Sequence, residues 1–204
     1  MKQFLAAILL AASLGSASAS IIISNYYTPT SGLIPDNNPS GWTDTRTISG
    51  YSGYTVTDVN VVLNISGGWN GDLYGYLVHD SGFAVLLDRV GKTLSQPFGY
   101  SNSGFSVTLD DSASPAIHTV GSYSSSAPVV GTYASQGGTL ASFNGTPVNG
   151  SWTLFLADLS FGDMSTVDNW SLVITAVPEP TTWAALIFGG LFGAVQVARR
   201  FRKA

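Results

Sequence analysis

The sequence predicts an all-β domain, a β-sandwich of jelly-roll type, followed by a single C-terminal transmembrane helix. Three observations carry this. Short runs alternate apolar and polar residues with a period of two. Clusters of Gly, Ser, Asn and Asp separate those runs, as turns separate strands. Near the C-terminus an uncharged apolar segment, 183–198, runs into a basic cluster.

The first 19 residues are an address rather than part of the fold. Lys2 is the only charge among the first 35 residues. The apolar run Phe4–Ala12 follows it, and small residues then lead to Ala17-Ser18-Ala19. A positive start, a short apolar stretch and an A-x-A exit are the parts of a secretory signal peptide. The run is too short to cross about 30 Å of hydrocarbon as a helix. Cleavage is expected after Ala19, and residues 20–33 are set apart as an N-terminal segment without an assigned role.

Four strands are read from alternation. Val59, Val61, Leu63 and Ile65 alternate with Asn60, Val62 and Asn64. Phe105, Val107 and Leu109 alternate around Ser106 and Thr108. Trp152, Leu154 and Leu156, then Trp170, Leu172 and Ile174, repeat the pattern and place both tryptophans in the core. Ser66-Gly67-Gly68 and Phe143-Asn144-Gly145-Thr146-Pro147 are turn clusters between such runs. No helix longer than a turn or two is expected in this body, and no internal repeat suggests a solenoid.

The tail has its own pattern. Val177-Pro178-Glu179-Pro180 is expected to stop regular structure, because its two prolines lack backbone donors and fix φ. The apolar segment is slightly short for a spanning helix, and Thr181, Thr182 and snorkelling basic side chains make up the length. Arg199, Arg200, Arg202 and Lys203 should remain cytoplasmic and stop the segment in the inner membrane. Together these features resemble the PEP-CTERM sorting signal. That resemblance covers 177–204 and implies recognition and removal of the tail by the membrane protease-transpeptidase exosortase. It also implies a Gram-negative bacterium that makes an extracellular polysaccharide. The precursor would sit in the inner membrane, and the processed protein at the cell surface or in the extracellular matrix.

Between the two signals lie 157 residues, 20–176, enough for one domain with a sizeable core. The chain has no cysteine, so neither a disulfide nor a thiol nucleophile is available. Residues 20–176 carry Arg46, Arg89 and Lys92 against eleven aspartates and no glutamate, a net charge of −8. Three bases are too few to neutralise phosphates, which argues against a nucleic-acid partner.

The body carries, in order, Ile34-Pro35-Asp36-Asn37-Asn38, Trp69-Asn70-Gly71-Asp72-Leu73, Leu77–Gly82, Phe105–Ala113, Gly150–Leu154 with Ala157-Asp158, and Asn169–Leu172. This series resembles the P domain (Homo B domain) that follows the catalytic domain of subtilisin-like proprotein convertases. The resemblance spans about 34–175 and implies the jelly-roll sandwich that the alternation predicts independently. A P domain normally follows a protease, and 157 residues leave no room for one.

A binding or structural role is therefore expected rather than catalysis. His79 and His118 are read as surface or turn residues, and no G-x-S-x-G string or His/Cys cluster marks a hydrolase or a zinc site. Calcium is the one cofactor considered. Asp36, Asp72, Asp110 and Asp111 fall in turn segments beside strands, and a hard divalent cation suits such carboxylates. Some P domains bind calcium, and Asp36 and Asp72 occupy motif positions of that family. Asp58 is read as having no second carboxylate nearby. Trp42, Trp69, Tyr26, Tyr27 and Tyr54 are candidate stacking faces for sugar. The expected partners are exosortase, with exopolysaccharide or a partner protease as the alternative ligand of the domain.

Overall fold

The computed structural model describes residues 19–137 and 139–179, together with Gly190. The expected signal peptide through Ser18, Pro180, and the expected membrane helix apart from Gly190, with Arg199, Arg200, Arg202 and Lys203, lie outside the described residues. Among the described residues, no helix is long and apolar enough to cross a membrane.

The body is a sandwich of two sheets. Among the described residues, nine strands occur in chain order: β1 (Ile21–Tyr27), β2 (Trp42–Ile48), β3 (Tyr54–Gly67), β4 (Leu73–His79), β5 (Gly82–Asp88), β6 (Gly104–Leu109), β7 (Val129–Tyr133), β8 (Gly150–Asp158) and β9 (Ser165–Pro178). One sheet has the order β1-β9-β3-β6-β7 and the other β2-β8-β4-β5. Every pairing is antiparallel except β6 with β7. Within residues 19–179, the helical turns described are three short 3-10 segments of three or four residues.

The alternation decides which face is inside. Val59, Val61, Leu63, Phe105, Val107, Leu109, Trp152, Leu154, Leu156, Trp170, Leu172 and Ile174 are all buried in one core. The intervening residues face out, where they satisfy one another. Asn64 donates to Asn169 at 2.6 Å, Ser106 donates to Asn64 at 2.9 Å, and Ser66 donates to Asp168 at 2.9 Å, all across the outer face of the larger sheet. A one-residue slip would turn each apolar set into solvent, so these strands hold their register firmly.

Three findings depart from the expectations. Residues 20–33, left above without an assigned role, contain β1, which pairs residue by residue with β9, from Ile21 opposite Ala176 to Tyr27 opposite Trp170. The stretch 177–180, expected to stop regular structure, does not stop it at its first residues. β9 continues through Val177 and Pro178, paired with Thr55 and Tyr54, and the Glu179 N–H bonds the Gly53 carbonyl at 2.8 Å. Pro178 is tolerated because β1 pairs with β9 only as far as Ala176, so no neighbour on that side waits for its missing N–H. Finally, His79 is no surface residue. It is 2% exposed and its ring lies flat on Trp152, with centroids 3.8 Å apart.

Candidate functional site

The best-defined concentration of charge lies at one corner of the four-stranded sheet. β4 and β8 pair so that Leu73 stands opposite Asp158, which puts Asp72 at the mouth of the same pairing. The Leu159 N–H bonds the Asp72 carbonyl at 2.9 Å and closes the corner. The 3-10 turn Asn70–Asp72 leads into β4, and Asn70 fixes it by bonding the Gly104 N–H and carbonyl at 2.7 and 2.9 Å. A side chain at Gly71 would collide with the Phe98 carbonyl, so this backbone approach needs glycine.

Three aspartates share this corner with one base. Arg89 has a left-handed φ of 49°, donates from Nε to the Gly71 carbonyl at 3.1 Å, and reaches Asp72 Oδ1 from Nη2 at 3.4 Å. Asp158 is fully buried; its Oδ1 accepts from the Ser160 N–H at 3.0 Å, while its Oδ2 has no partner. The Asp36 carboxylate accepts from the Gly162 N–H at 3.1 Å. Asp36 is thus joined to the loop that follows β8, and the Asn38 N–H adds a bond to the Asp158 carbonyl at 2.9 Å.

Crowding of carboxylates out of water shows in their acidities. Burial, then the neighbouring Asp158 charge, pushes Asp72 from the ordinary 3.8 up to about 6, with Arg89 pulling the other way. Asp158 is raised as well, first by burial; the Ser160 N–H opposes that and the Asp36 charge adds to it. A cleft of about 260 Å³ opens over Asp72, walled by Trp69, Phe98 and Phe161 and edged by Ser160 and Asp163.

The four aspartates expected to hold calcium do not form one group. Asp72 and Asp36 each interact electrostatically with Asp158, which was not among those four. Asp110 and Asp111 lie elsewhere, and both serve backbone donors. Asp110 Oδ1 accepts from the Ser112 N–H at 2.8 Å, and Asp111 Oδ2 accepts from the Ala141 N–H at 2.8 Å. These two also act on Asp58, raised first by burial and then by their charges, so Asp58 is not isolated from other carboxylates. Among the described residues, no group of three or more His, Cys, Asp or Glu side chains is placed to hold a metal ion.

The aromatic residues expected to face sugar are dispersed. Trp42 donates to the Ser31 carbonyl at 2.7 Å, and Trp69 donates to the Phe98 carbonyl at 2.9 Å. Tyr27 packs against Trp170 at 4.7 Å and beneath the Arg46 guanidinium at 5.3 Å. Tyr54 is half-buried where β3 begins, and Tyr26 is exposed on β1. Each ring nitrogen of His79 faces a backbone carbonyl, of Ser151 at 3.0 Å and of Pro147 at 2.7 Å, so its polar contacts are structural.

No protein-family model matches the chain, and no curated protein matches it in sequence. Among solved structures, it is similar to a chain in the complex of a serine protease from Aeromonas sobria with the chaperone ORF2. The identity there is 16% and the TM-score 0.49, over 78% of this chain and 27% of the other. The serine protease of Aeromonas sobria in a separate structure gives 15% identity and a TM-score of 0.48, over 77% of this chain and 27% of that one. The chain thus spans about a quarter of the length of each solved structure that it resembles.

Proposed function

We propose that this is an exported, non-enzymatic envelope or extracellular-matrix protein, a jelly-roll domain of P-domain type carried to the surface by a PEP-CTERM tail. The observation that carries the reading is the pairing of Ile21 with Ala176. It brings the end of the signal peptide and the start of the sorting motif to the same end of one sheet. A body whose entry and exit lie side by side can hang from a membrane by either end, and it can be released by cutting at its base. Val177 and Pro178 are held in β9, so exosortase meets a motif whose first half is braced by the fold and whose second half follows Glu179. Calcium belongs to this proposal at the Asp72–Asp158 corner alone, where the unpaired Asp158 Oδ2 is an available hard oxygen ligand.

Mass spectrometry of the intact protein recovered from its host tests this reading. The expected species begins at Ser20 and lacks 183–204. In a host without exosortase, the species expected is the full tail retained in the membrane fraction. An intact tail on surface protein from normal cells would refute processing, and residues 1–19 retained there would refute the signal peptide.

A second reading, a ligand-binding module for exopolysaccharide or an accessory domain for a partner protease, is favoured by a cleft of about 640 Å³ on the four-stranded sheet, walled by Tyr74, Tyr76 and Phe155.

A further inference from the structure

The outer face of the four-stranded sheet carries a patch of aromatic rings that the function above does not use. Alternation along β4 turns Leu73, Gly75 and Leu77 inward and leaves Tyr74 and Tyr76 outside. Register then sets Tyr76 opposite Phe155 of β8 and Tyr74 opposite Ala157. The Tyr76 and Phe155 rings stack with centroids 4.7 Å apart and planes 17° apart. Phe83 of β5, 47% exposed, lies 5.1 Å from the same Tyr76 ring. Where Ala157 follows Phe155 on this face, the ring row stops and a cleft of about 640 Å³ opens, a size that suits a small ligand.

The lining of this cleft is specific in what it offers. Tyr76 and Phe155 give an apolar wall, Pro39 another, and Tyr74, Ser40 and Asp88 supply hydroxyl and carboxylate groups. Gly41 has φ +56°, and a Cβ there would lie 2.7 Å from the Phe155 ring, so the turn carrying Pro39 and Ser40 can close on the wall only with glycine. Tyr74 is raised above its ordinary pKa of 10.0, first by burial and then by Asp88, and so stays a neutral donor beside a carboxylate acceptor. Among the described residues, no Lys or Arg lines the cleft, and residues 20–176 carry a net charge of −8. An anionic ligand would be repelled, and a second copy seated here would bring one acidic rim against another.

We infer that this cleft binds an uncharged pyranose chain, whose C–H faces pack against Tyr76 and Phe155 while its hydroxyls bond Tyr74, Ser40 and Asp88. Ring faces and a mixed donor–acceptor rim are what such a sugar matches, apolar on its faces and polar at its edge. This deepens the ligand-binding reading and rests on it, yet it leaves export and sorting untouched.

The test uses the full chain, extracted in an amine-oxide detergent so that no glycosidic headgroup competes. Immobilised cellohexaose, laminarihexaose, maltohexaose and chitohexaose are the neutral probes, with hexagalacturonate as the acidic one. Retention on at least one neutral probe is expected, weakened about tenfold by Tyr76→Ala. Tyr74→Phe and Asp88→Asn, which remove no packing, are expected to weaken it several-fold, so a poorly folded Tyr76→Ala protein does not leave the question open. Phe161→Ser removes a ring that is 86% exposed outside this cleft and should change nothing. Failure of the folded chain to bind any neutral probe overturns the inference. So does preference for hexagalacturonate, or an equal loss in Phe161→Ser, which would mark non-specific aromatic adhesion.

Discussion

Replacing Trp170 by alanine is expected to destabilise the sandwich by about 4 kcal/mol, in the range found for truncating a buried Trp to Ala. For a domain of this size that corresponds to a fall in Tm of about 8–16 °C. Trp170 is fully buried at the centre of the larger sheet, between β1 and β3. Its ring packs on Tyr27, and its Nε1–H donates to Asp44 Oδ2 at 2.8 Å. Asp44 also holds Arg46 at 2.9 Å, and Arg46 lies over Tyr27, so one ring supports a polar cluster that joins the two sheets. Losing the ring leaves both a cavity and a weakly satisfied carboxylate. Trp170→Phe separates the two effects: it keeps most of the volume and removes the donor, and is expected to cost about 1–2 kcal/mol. Thermal and urea unfolding of both variants measure this. A Trp170→Ala loss below about 1 kcal/mol would mean that the ring does not link the sheets.

The same cluster explains part of what the sequence concealed. β3, β6, β8 and β9 were legible because each contains a run whose alternate, inward positions are apolar, as in Val59, Val61, Leu63 and Ile65. β2 was not. Its half-buried positions are Trp42, Asp44 and Arg46, so the apolar alternation is broken by an ion pair pointing inward. Inward charge of this kind is how an edge strand is kept from pairing with other chains. β1 was hidden for another reason: Ile21-Ile22-Ile23 has no period and follows the apolar signal directly. Only its pairing with β9 shows that Ile23 enters the core while Ile22 is 72% exposed. At the acidic corner, Asp36 and Asp72 were recognisable from turn chemistry. Asp158 was not, because it closes an apolar strand and becomes their neighbour through strand register. The cleft on the smaller sheet escaped notice likewise, since Tyr74, Tyr76 and Phe155 lie about 80 residues apart in the chain and meet only across the β4–β8 pairing.

Asp72→Asn is expected to stabilise the protein at pH 7.5 and to make little difference at pH 4.5. The folded-state pKa of Asp72, about 6, lies above its ordinary 3.8. The fold therefore disfavours the ionised form, and the cost is complete above pH 6, where the folded carboxylate is charged. It fades as pH falls through 6 and is gone below about 4, where folded and unfolded states are both protonated. In linkage terms, the native state binds more protons than the unfolded state between these limits, so stability falls as pH rises. A shift of about two units, which already includes the pull of Arg89, sets an upper limit of about 3 kcal/mol on the gain at pH 7.5. Asp158 is raised in the same direction, so wild type itself should melt higher at pH 5.5 than at pH 7.5, with Asp72→Asn showing a flatter profile. Melting temperatures at the three pH values decide this, and a variant less stable than wild type at pH 7.5 would show that the Arg89–Asp72 contact outweighs the cost of burial. On the proposed reading, calcium would act on the same pair. A cation between Asp72 and Asp158 favours both ionised forms and stabilises only the folded state, by RT ln(1 + [L]/Kd). At pH 7.5, Ca²⁺ is expected to raise the wild-type Tm by a few degrees and to leave Asp72→Asn nearly unchanged. Mg²⁺ at equal concentration is expected to do neither, because it keeps its own waters and demands octahedral geometry. If the two ions act equally, the response is screening of a chain with eight excess negative charges, and the corner is a strained carboxylate pair held for the fold alone.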